Sequence, residues 1–321
     1  MADSVTLVGV FLVLLQGALY VLLAPLLVAW VKRIKSRLQN RRGPSLWQPY
    51  RDLRKLLAKE AIVAHTASPV FRAAPYIVFG STLMAAMIVP LLIVGSPASA
   101  AADVIVLVGF LALARFFLAL AGMDVGTAFG GMGASREMLI SALAEPAMLM
   151  AVFTLAMTAH STNLSRVIEL NLGIGLVLHP SYLFALLGLI LVAIAETGRI
   201  PVDNPATHLE LTMIHEAMIL EYSGRHLALM EWAAQIKLML YAVLLINVFF
   251  PWGIAVQVTA TALGWSLLVL VGKLAIAAVM LAVTETVLAK MRLFRAPVFL
   301  NLAFLLATLG LLSQVILETG P

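Results

Sequence analysis

Cysteine is absent from this 321-residue chain, and charged residues make up only 12% of it. Without thiols the chain cannot form disulfides, ligate an iron–sulfur cluster through cysteine or carry out thiol catalysis. Histidine is also sparse, with six residues, and the position four after His215 is Ile219, so the zinc-binding pattern H-E-x-x-H is missing. The sequence therefore predicts no redox centre and no metal site in this chain.

Apolar residues are abundant instead, at 62% of the chain, and the mean hydropathy is +1.03. A soluble domain normally carries about 25% charged residues, so this composition predicts a protein that resides in a lipid bilayer. The formal net charge of +5 invites a nucleic-acid interpretation. The basic residues lie at the ends of apolar runs, however, which is the positive-inside pattern of membrane proteins. We therefore expect contact with membrane lipid and no nucleic-acid partner.

The apolar runs predict an all-α integral membrane protein with about eight transmembrane helices, in a single membrane domain over residues 1–321. A helix of ~20 residues crosses the ~30 Å hydrocarbon core, because each residue adds ~1.5 Å. No repeat of span length is visible, so an inverted-repeat transporter is not expected. The predicted spans are 5–31, 73–95, 102–122, 136–159, 180–197, 231–251, 257–288 and 297–317.

The basic stretch that follows the first span is expected on the cytoplasmic side, so the N-terminus is expected on the outer side of the membrane. An even number of spans then places the C-terminus on the outer side as well. The segments then assigned to the cytoplasm are 32–72, 123–136, 198–230 and 289–296, and they hold 17 of the 21 lysines and arginines. Of the remaining four, only Arg166 lies in an outer segment, and three lie within spans. Because the opposite orientation would reverse this asymmetry, the positive-inside rule supports the assignment.

Two cytoplasmic segments are expected to be helical. Residues 45–60 place leucines and Tyr50 on one face and arginines and lysines largely on the other, which is typical of an amphipathic helix at the membrane interface. Residues 206–222 also show an apolar face. Just before the first of these helices, Arg41 and Arg42 precede a Gly-Pro turn, and their guanidinium groups suit either lipid phosphates or an acidic partner surface.

Several charged residues fall within or at the ends of predicted spans. A charge inside the bilayer is costly, so such residues are functional candidates by default. Lys273 and Glu285 share one helix but are twelve residues apart, ~18 Å along its axis, which is too far for a direct pair. Each charge needs a partner on another helix or a hydrated cavity, and a relay of protons or ions competes with structural salt bridges. The set is Arg115, Glu145, Lys237, Lys273 and Glu285, with Glu196 and Glu231 near span ends.

Residues 195–226 form the densest polar segment of the chain. Two prolines, Pro201 and Pro205, are expected to break the helix there. Glu221 and Arg225 are spaced i,i+4, and a local helix pair would by itself explain them. The segment offers the carboxylates Glu196, Asp203, Glu210, Glu216 and Glu221, with Arg199 and Arg225 as counter-ions.

The strings RRGPSLWQPYRDLRKLLAKE at 41–60 and AETGRIPVDNP at 195–205 resemble the two signature motifs of the complex I subunit 1 family. Members of that family are the membrane protein at the heel of respiratory NADH:quinone oxidoreductase. The resemblance covers nearly the whole length and the number of spans. The matching positions are Arg42, Gly43, Pro44, Gln48, Pro49, Asp52, Lys55, Leu56, Lys59 and Glu60 in the first motif, then Ala195, Glu196, Arg199, Pro201, Asp203, Glu210, Leu211, Glu221, Tyr222, Ser223 and Gly224 in the second.

Three further strings, GMDVGTAFGGMGASRE, EYSGRHLAL and TETVLAKMRLFRAP, resemble the hydrogenase branch of this family more specifically. That branch holds the membrane subunit of energy-converting group 4 nickel–iron hydrogenases, of the formate hydrogenlyase subunit 4 and hydrogenase-4 component C type. The sequence departs from the quinone-reducing pattern at Val202, where the family has phenylalanine, and at Ala206 and His208, where it has an acidic pair. These departures weaken the expectation of a quinone acceptor.

The resemblance implies a coupling and anchoring subunit in a prokaryotic cytoplasmic (inner) membrane, within an oxidoreductase complex that links redox chemistry to proton or sodium translocation. The implied partners are hydrogenase-like large and small subunits, an iron–sulfur subunit and antiporter-like membrane subunits. Iron–sulfur clusters, and in some complexes a nickel–iron site, would belong to those partners. This chain is expected to hold no cofactor and to be non-catalytic alone, and quinone binding is left open.

The resemblance and the charges together assign candidate roles to named residues. The expected proton path comprises Glu145, Glu196, Glu210, Glu221, Lys273, Glu285, Arg115 and Lys237. The expected docking surface for the soluble arm, or the wall of a quinone-like cavity, comprises Arg41, Arg42, Gln48, Asp52, Lys55, Lys59, Glu60, Arg136, Arg199, Asp203 and Arg225. Alternative hypotheses are a quinone-binding subunit 1, a passive anchor for a soluble hydrogenase, and a stand-alone secondary transporter.

Overall fold

A computed structural model describes residues 2–95, 103–174, 179–203 and 213–319. Within these ranges the chain is all-helical, with only two isolated backbone bridges between loops. The predicted all-α class is therefore confirmed. The helices are α1 Ala2–Leu38, α2 Gln48–Leu57, α3 Pro69–Ile88, α4 Val104–Asp124, α5 Ala128–Thr158, α6 Leu164–Ile174, α7 Pro180–Glu196, α8 His215–Ile219, α9 Gly224–Phe249, α10 Ala260–Val287 and α11 Ala296–Thr319.

Seven of the described helices, namely α1, α3, α4, α5, α9, α10 and α11, are long and apolar enough to cross a membrane. The apolar helix α7 has 17 residues, which is the lower end of the length that spans a bilayer. Together they match the eight predicted spans. The fourth predicted span corresponds to α5, which begins at Ala128 rather than at residue 136. The reason is that Thr127 caps the amide of Gly130 and the glycine-rich stretch continues the helix.

Helix α3, which corresponds to the second predicted span, ends at Ile88 rather than at residue 95, because Pro90 cannot continue the helix. Residues 89–94 are irregular yet buried, and buried irregular backbone needs polar partners in a bilayer. Gln16 donates to the carbonyls of Met87 and Val89, each at 2.8 Å. Asn247 and Ser266 donate to carbonyls further along the same stretch.

Prolines inside α1 and α3 each release a backbone carbonyl, because proline lacks the amide that would pair with it. The carbonyl of Val21, four residues before Pro25, accepts from the indole Nε1 of Trp232 at 3.0 Å. The carbonyl of Phe71, four residues before Pro75, accepts from the hydroxyl of Tyr222 at 2.9 Å. Both prolines therefore become attachment points for side chains on or next to α9.

The long helices bury unequal shares of their surfaces. Helices α5, α7 and α11 pack against one another, whereas α3 packs against both α4 and α9, and α4 also packs against α5. In contrast, α10 packs mainly against α1, and only 22% of an apolar 18-residue stretch of α10 is buried. The exposed face of α10 is apolar along its length, as expected for contact with lipid or with a membrane neighbour.

The loop after α2 and the turn before α9 are joined at a close backbone contact. Ser223 hydrogen-bonds through its hydroxyl to both the amide and the carbonyl of Ile62, at 2.8 and 2.9 Å. Gly224 has a positive φ of 52°, and a Cβ there would lie 2.3 Å from the carbonyl oxygen of Glu60. Only glycine fits this position.

The structure agrees with the two predicted cytoplasmic helices to different degrees. The first occurs as α2, with Leu53 buried and the arginines and lysines exposed. Of the second, 206–212 lie outside the described residues. The remainder forms the five-residue α8, which ends at Ile219 in a turn rather than continuing to residue 222.

Candidate functional site: a buried charge cluster and its cavity

Arg115 stands at the centre of the polar interior. It lies midway along α4 and is 3% exposed. Its Nε is 3.4 Å from Glu137 Oε1 and its Nη1 is 3.2 Å from Glu145 Oε1, and both glutamates belong to α5. Its Nη2 contacts Oε2 of Glu196 at the end of α7. One guanidinium thus joins three carboxylates from two helices.

Lys237 of α9 completes the central charge cluster, which we define as Arg115, Glu137, Glu145, Glu196 and Lys237. The Lys237 ammonium is 3.0 Å from Glu196 Oε2. Ser141, one turn from each of the two α5 glutamates, donates to Glu145 Oε1 at 2.6 Å. Four spanning helices therefore meet through these side chains.

The central charge cluster holds three carboxylates against two cations, so it carries one negative charge in excess. An uncompensated charge away from water is costly, and binding of one proton would neutralise the excess. Glu137, Glu145 and Glu196 share Arg115, whereas Lys237 pairs with Glu196. The Glu145 side chain is 33% exposed, compared with 1% for Glu196, and is the member most open to its surroundings.

A cavity of about 60 Å³ lies beside the cluster. A water molecule needs roughly 10–15 Å³ of such space, so the cavity has room for several. Its wall includes Arg115, Glu196 and Lys237 on the membrane side, and Asp203 and His215 on the loop side. The cavity therefore joins the central charge cluster to the loop that follows α7.

Asp203 fixes that loop. Its Oδ2 accepts from the amides of Ile214 and His215 at 3.2 and 3.3 Å. Its Oδ1 is 3.2 Å from the ammonium of Lys290, which lies beyond α10. Arg136 adds a further tie, because its Nη1 donates to the carbonyl of Met213 at 2.9 Å.

Glu285 and Lys273 belong to neither of these groups. Glu285 pairs through Oε2 with Lys35 and through Oε1 with Arg199, both at 3.0 Å. Lys273 donates to the carbonyl of Phe250 at 2.6 Å, at the C-terminal end of α9. The prediction that Lys273 and Glu285 do not pair with each other is confirmed. The structure thus divides the intramembrane charges into three separate locations.

The residues expected at the docking surface lie mostly in the turn before α2, on α2 and in the loops after α2 and α7, with Arg136 in α5 and Arg225 in α9. Gln48 donates to Asp52 at 2.9 Å, a local contact one helical turn apart. Glu210 lies outside the described residues. The helix pair of Glu221 with Arg225 is wrong, because Glu221 lies in the turn before α9 begins at Gly224. Exposed side chains in this group are Arg41, Arg42, Asp52, Lys55, Lys59, Glu60 and Arg225, and Glu221 of the expected proton path is exposed as well.

Three charged residues of these clusters were missed from the sequence. Glu137 falls at the start of the predicted span 136–159 and was not singled out, although Glu137, Ser141 and Glu145 recur every four residues and so share a helix face. Lys35 and Lys290 were counted only as positive-inside residues. Neither has a sequence signal for its partner, since 250 residues separate Lys35 from Glu285.

Tyr222 marks the joint between the loops and α3. Its ring stacks on Phe71 with centroids 4.0 Å apart. Burial raises the pKa of Tyr222 above its ordinary value, and the negative charge of Asp124 raises it further. The hydroxyl therefore stays protonated and serves as a donor. Across the described residues, no group of three or more histidine and acidic side chains is arranged to hold a metal ion.

The helices and the buried charges define a multi-pass α-helical membrane protein. Within that class the chain belongs to the NADH dehydrogenase family, whose sequence profile matches residues 10–316. This membership confirms the resemblance seen in the motifs. The two strings at 41–60 and 195–205 were sufficient to indicate it.

Individual relatives refine the placement within the family. Hydrogenase-4 component C of Escherichia coli strain K12 is 35% identical, over 94% of this chain and 94% of the relative. Formate hydrogenlyase subunit 4 of the same strain is 34% identical, over 88% of this chain and 92% of the relative. An NADH-quinone oxidoreductase subunit of Salinibacter ruber is 27% identical, over 76% of this chain and 72% of the relative. The predicted similarity to the hydrogenase branch is thus confirmed.

A solved structure shares the fold. A chain of the membrane-bound sulfane sulfur reductase, an archaeal respiratory membrane complex, superposes with a TM-score of 0.81 at 19% identity. The match covers 97% of this chain and 99% of that chain. The helical arrangement described above is therefore one already found in a respiratory membrane complex.

Proposed function

We propose that this chain is the membrane-anchoring and coupling subunit of a multi-subunit energy-converting complex of the hydrogenase type. It links redox chemistry in a cytoplasmic arm to translocation of protons or sodium ions. The observation that carries the proposal is the central charge cluster, since an anchor alone has no need of three carboxylates inside the membrane. Similarity to two hydrogenase-system subunits along most of the chain supports the type of complex.

The soluble arm docks on the cytoplasmic loops in this proposal, and both termini lie on the outer side. The exposed arginines and lysines of α2 and of the preceding turn form a basic surface that complements an acidic partner. Trp47, at the start of α2, is 65% exposed and adds an apolar anchor to that surface. The proposed partners are hydrogenase-like large and small subunits and an iron–sulfur subunit, with antiporter-like subunits in the membrane.

The ion path runs through the central charge cluster and the cavity beside it. Glu196 borders the cavity and shares Arg115 with Glu145, so a proton taken up at the loop side can pass to α5. Lys237 pairs with Glu196 and stabilises the ionised form of that carboxylate. Glu210 and Glu221 would supply carboxylates on the cytoplasmic side of this path.

This chain contributes positioning and proton transfer, whereas its partners hold the redox groups. It has no cysteine thiolate to ligate a cluster. A quinone site remains the second candidate function, because the relatives include quinone oxidoreductase subunits and the cavity wall contains Asp203. Quinone-dependent electron transfer that is abolished by Asp203→Asn in the intact complex would favour this second candidate.

The subunit role is tested by purification of the tagged chain from its native membrane. Mass spectrometry of the mild-detergent eluate is expected to identify hydrogenase-like and antiporter-like subunits. Elution of the chain by itself, or with a transport substrate-binding protein, would contradict the proposal. Glu145→Gln then separates coupling from anchoring, because it is expected to leave these partners bound while it lowers ion uptake.

A further inference from the structure

The segment that follows α7 is held by the far end of the chain at three points. Arg199 pairs with Glu285 at 3.0 Å, and Asp203 pairs with Lys290 at 3.2 Å. Between them, the amide of Met291 donates to the carbonyl of Pro201 at 2.8 Å. We name residues 285–291 the strap, and the segment that they hold spans residues 197–203.

The held segment is also a wall of the cavity. Thr197, Gly198, Val202 and Asp203 line it, and Glu196 of the central charge cluster immediately precedes them. A shift of the strap would therefore move the cavity wall and the backbone that carries Glu196. Among the described residues, none of the strap lines the cavity. The strap would therefore act on the central charge cluster only through the held segment.

Glu285 is the buried end of the strap, with a side chain only 2% exposed. Each of its carboxylate oxygens already has its own cation, one on α1 and one on the held segment. Protonation would break two ion pairs and leave two cations without their partner, which is costly away from water. This geometry suits a fixed link rather than a group that exchanges protons during turnover.

Glu285 also connects the held segment to the part of the bundle that is least enclosed. Lys35 belongs to α1, which is the main packing partner of α10. Because α10 exposes most of its surface, the α1–α10 pair can respond to a membrane neighbour more freely than the enclosed helices can. A displacement of this pair would reach the cavity through Glu285 and Arg199.

We propose that Glu285 is a positioning residue, which acts through Lys35 and Arg199 to hold the 197–203 segment in register with the central charge cluster. The proposal rests on the function proposed above, and it assigns Glu285 to the geometry of the ion path rather than to the path itself. It requires the ion pairs at residue 285, and it does not require a titrating group there.

A charge swap tests this distinction in the intact complex reconstituted into liposomes, with ions taken up per electron transferred as the readout. Arg199→Glu alone places two carboxylates together and is expected to lower the ratio about fivefold or more. The triple variant Lys35→Glu, Arg199→Glu, Glu285→Arg restores both pairs with reversed signs. Since arginine is not deprotonated in proteins, recovery to at least about half of the wild-type ratio would establish the positioning role.

Two outcomes would overturn the proposal. The first is a triple variant that retains its partner subunits but takes up no more ions than Arg199→Glu. If that variant fails to assemble, Lys35→Gln is measured instead, because it removes one of the two ion pairs and leaves the Glu285 carboxylate intact. A wild-type ratio in Lys35→Gln is the second contrary outcome. Arg166→Glu, a charge reversal at an exposed outer position, is the matched control.

Glu145→Gln, run in parallel, keeps the two proposals apart. A wild-type ratio in Glu145→Gln would refute the ion path through the central charge cluster. A lowered ratio there, together with failure of the charge swap, would refute only the positioning role of Glu285.

Discussion

The hydroxyl of Tyr222 donates to the carbonyl of Phe71 at 2.9 Å, and Pro75 is the reason that this carbonyl is free. One loop residue thereby replaces a backbone hydrogen bond that the helix cannot make. In the same way, the indole of Trp232 donates to the carbonyl of Val21, which Pro25 leaves without its helical partner. The two released carbonyls attach the start of α9 and the preceding loop to α1 and α3, next to the cavity.

Tyr222→Phe is expected to destabilise the protein by ~1–3 kcal/mol, because a buried carbonyl loses its donor. In a Pro75→Ala background the alanine amide can pair with Phe71, so the same substitution should cost less. The measurement is denaturation of the purified subunit in mixed micelles, arranged as a double-mutant cycle. Tyr76→Phe is the control, since Tyr76 is 52% exposed on the same helix. Equal costs in both backgrounds would show that the proline has no part in the contact.

Gly224→Ala is expected to disrupt the joint between the loop after α2 and the turn before α9. The new Cβ would meet the Glu60 carbonyl at 2.3 Å on a backbone with positive φ, and such strain costs roughly 1–3 kcal/mol. Gly272→Ala is the matched control, because a methyl group added at that position of α10 would have no neighbouring atom within 4 Å. Limited proteolysis of the 58–64 and 220–226 loops reports the effect. Similar cleavage rates in the two variants would contradict the account of this joint.

Arg41→Glu combined with Arg42→Glu is expected to detach the soluble arm and leave the chain inserted in the membrane. Both side chains are exposed in the turn before α2, and reversed charges at a docking surface add like-charge repulsion of several kcal/mol where water is excluded. Co-purification of the soluble subunits with the membrane subunit is the measurement. If their yield is unchanged, these arginines contact lipid phosphates and the docking assignment is wrong.

The sequence identified the charged residues of the central charge cluster more successfully than it identified the pairs that they form. Arg115, Glu145, Glu196 and Lys237 stood out because charge inside an apolar span is costly, and all four do meet in the structure. Their partnership depends on the packing of four helices, which periodicity within one helix does not encode.

Glu285 shows where this kind of inference ends. Its burial was predictable from the apolar run around it, but its partner Lys35 resembled every other basic residue that follows a first span. Span boundaries failed for a related reason. Caps and prolines such as Thr127 and Pro90 determine where helices begin and end, whereas hydropathy reports only the apolar part.

The central claim is that carboxylates of this chain carry the translocated proton or set the path of the translocated ion. The most direct measurement is ion uptake per electron transferred in liposomes that contain the whole complex, for Glu145→Gln and Glu196→Gln beside the wild type. Glutamine keeps the volume and the hydrogen-bonding capacity but cannot titrate. The account predicts that at least one variant assembles with all its partners and takes up few or no ions. If both variants assemble and translocate ions at the wild-type ratio, the chain is a passive anchor and the path lies in other subunits.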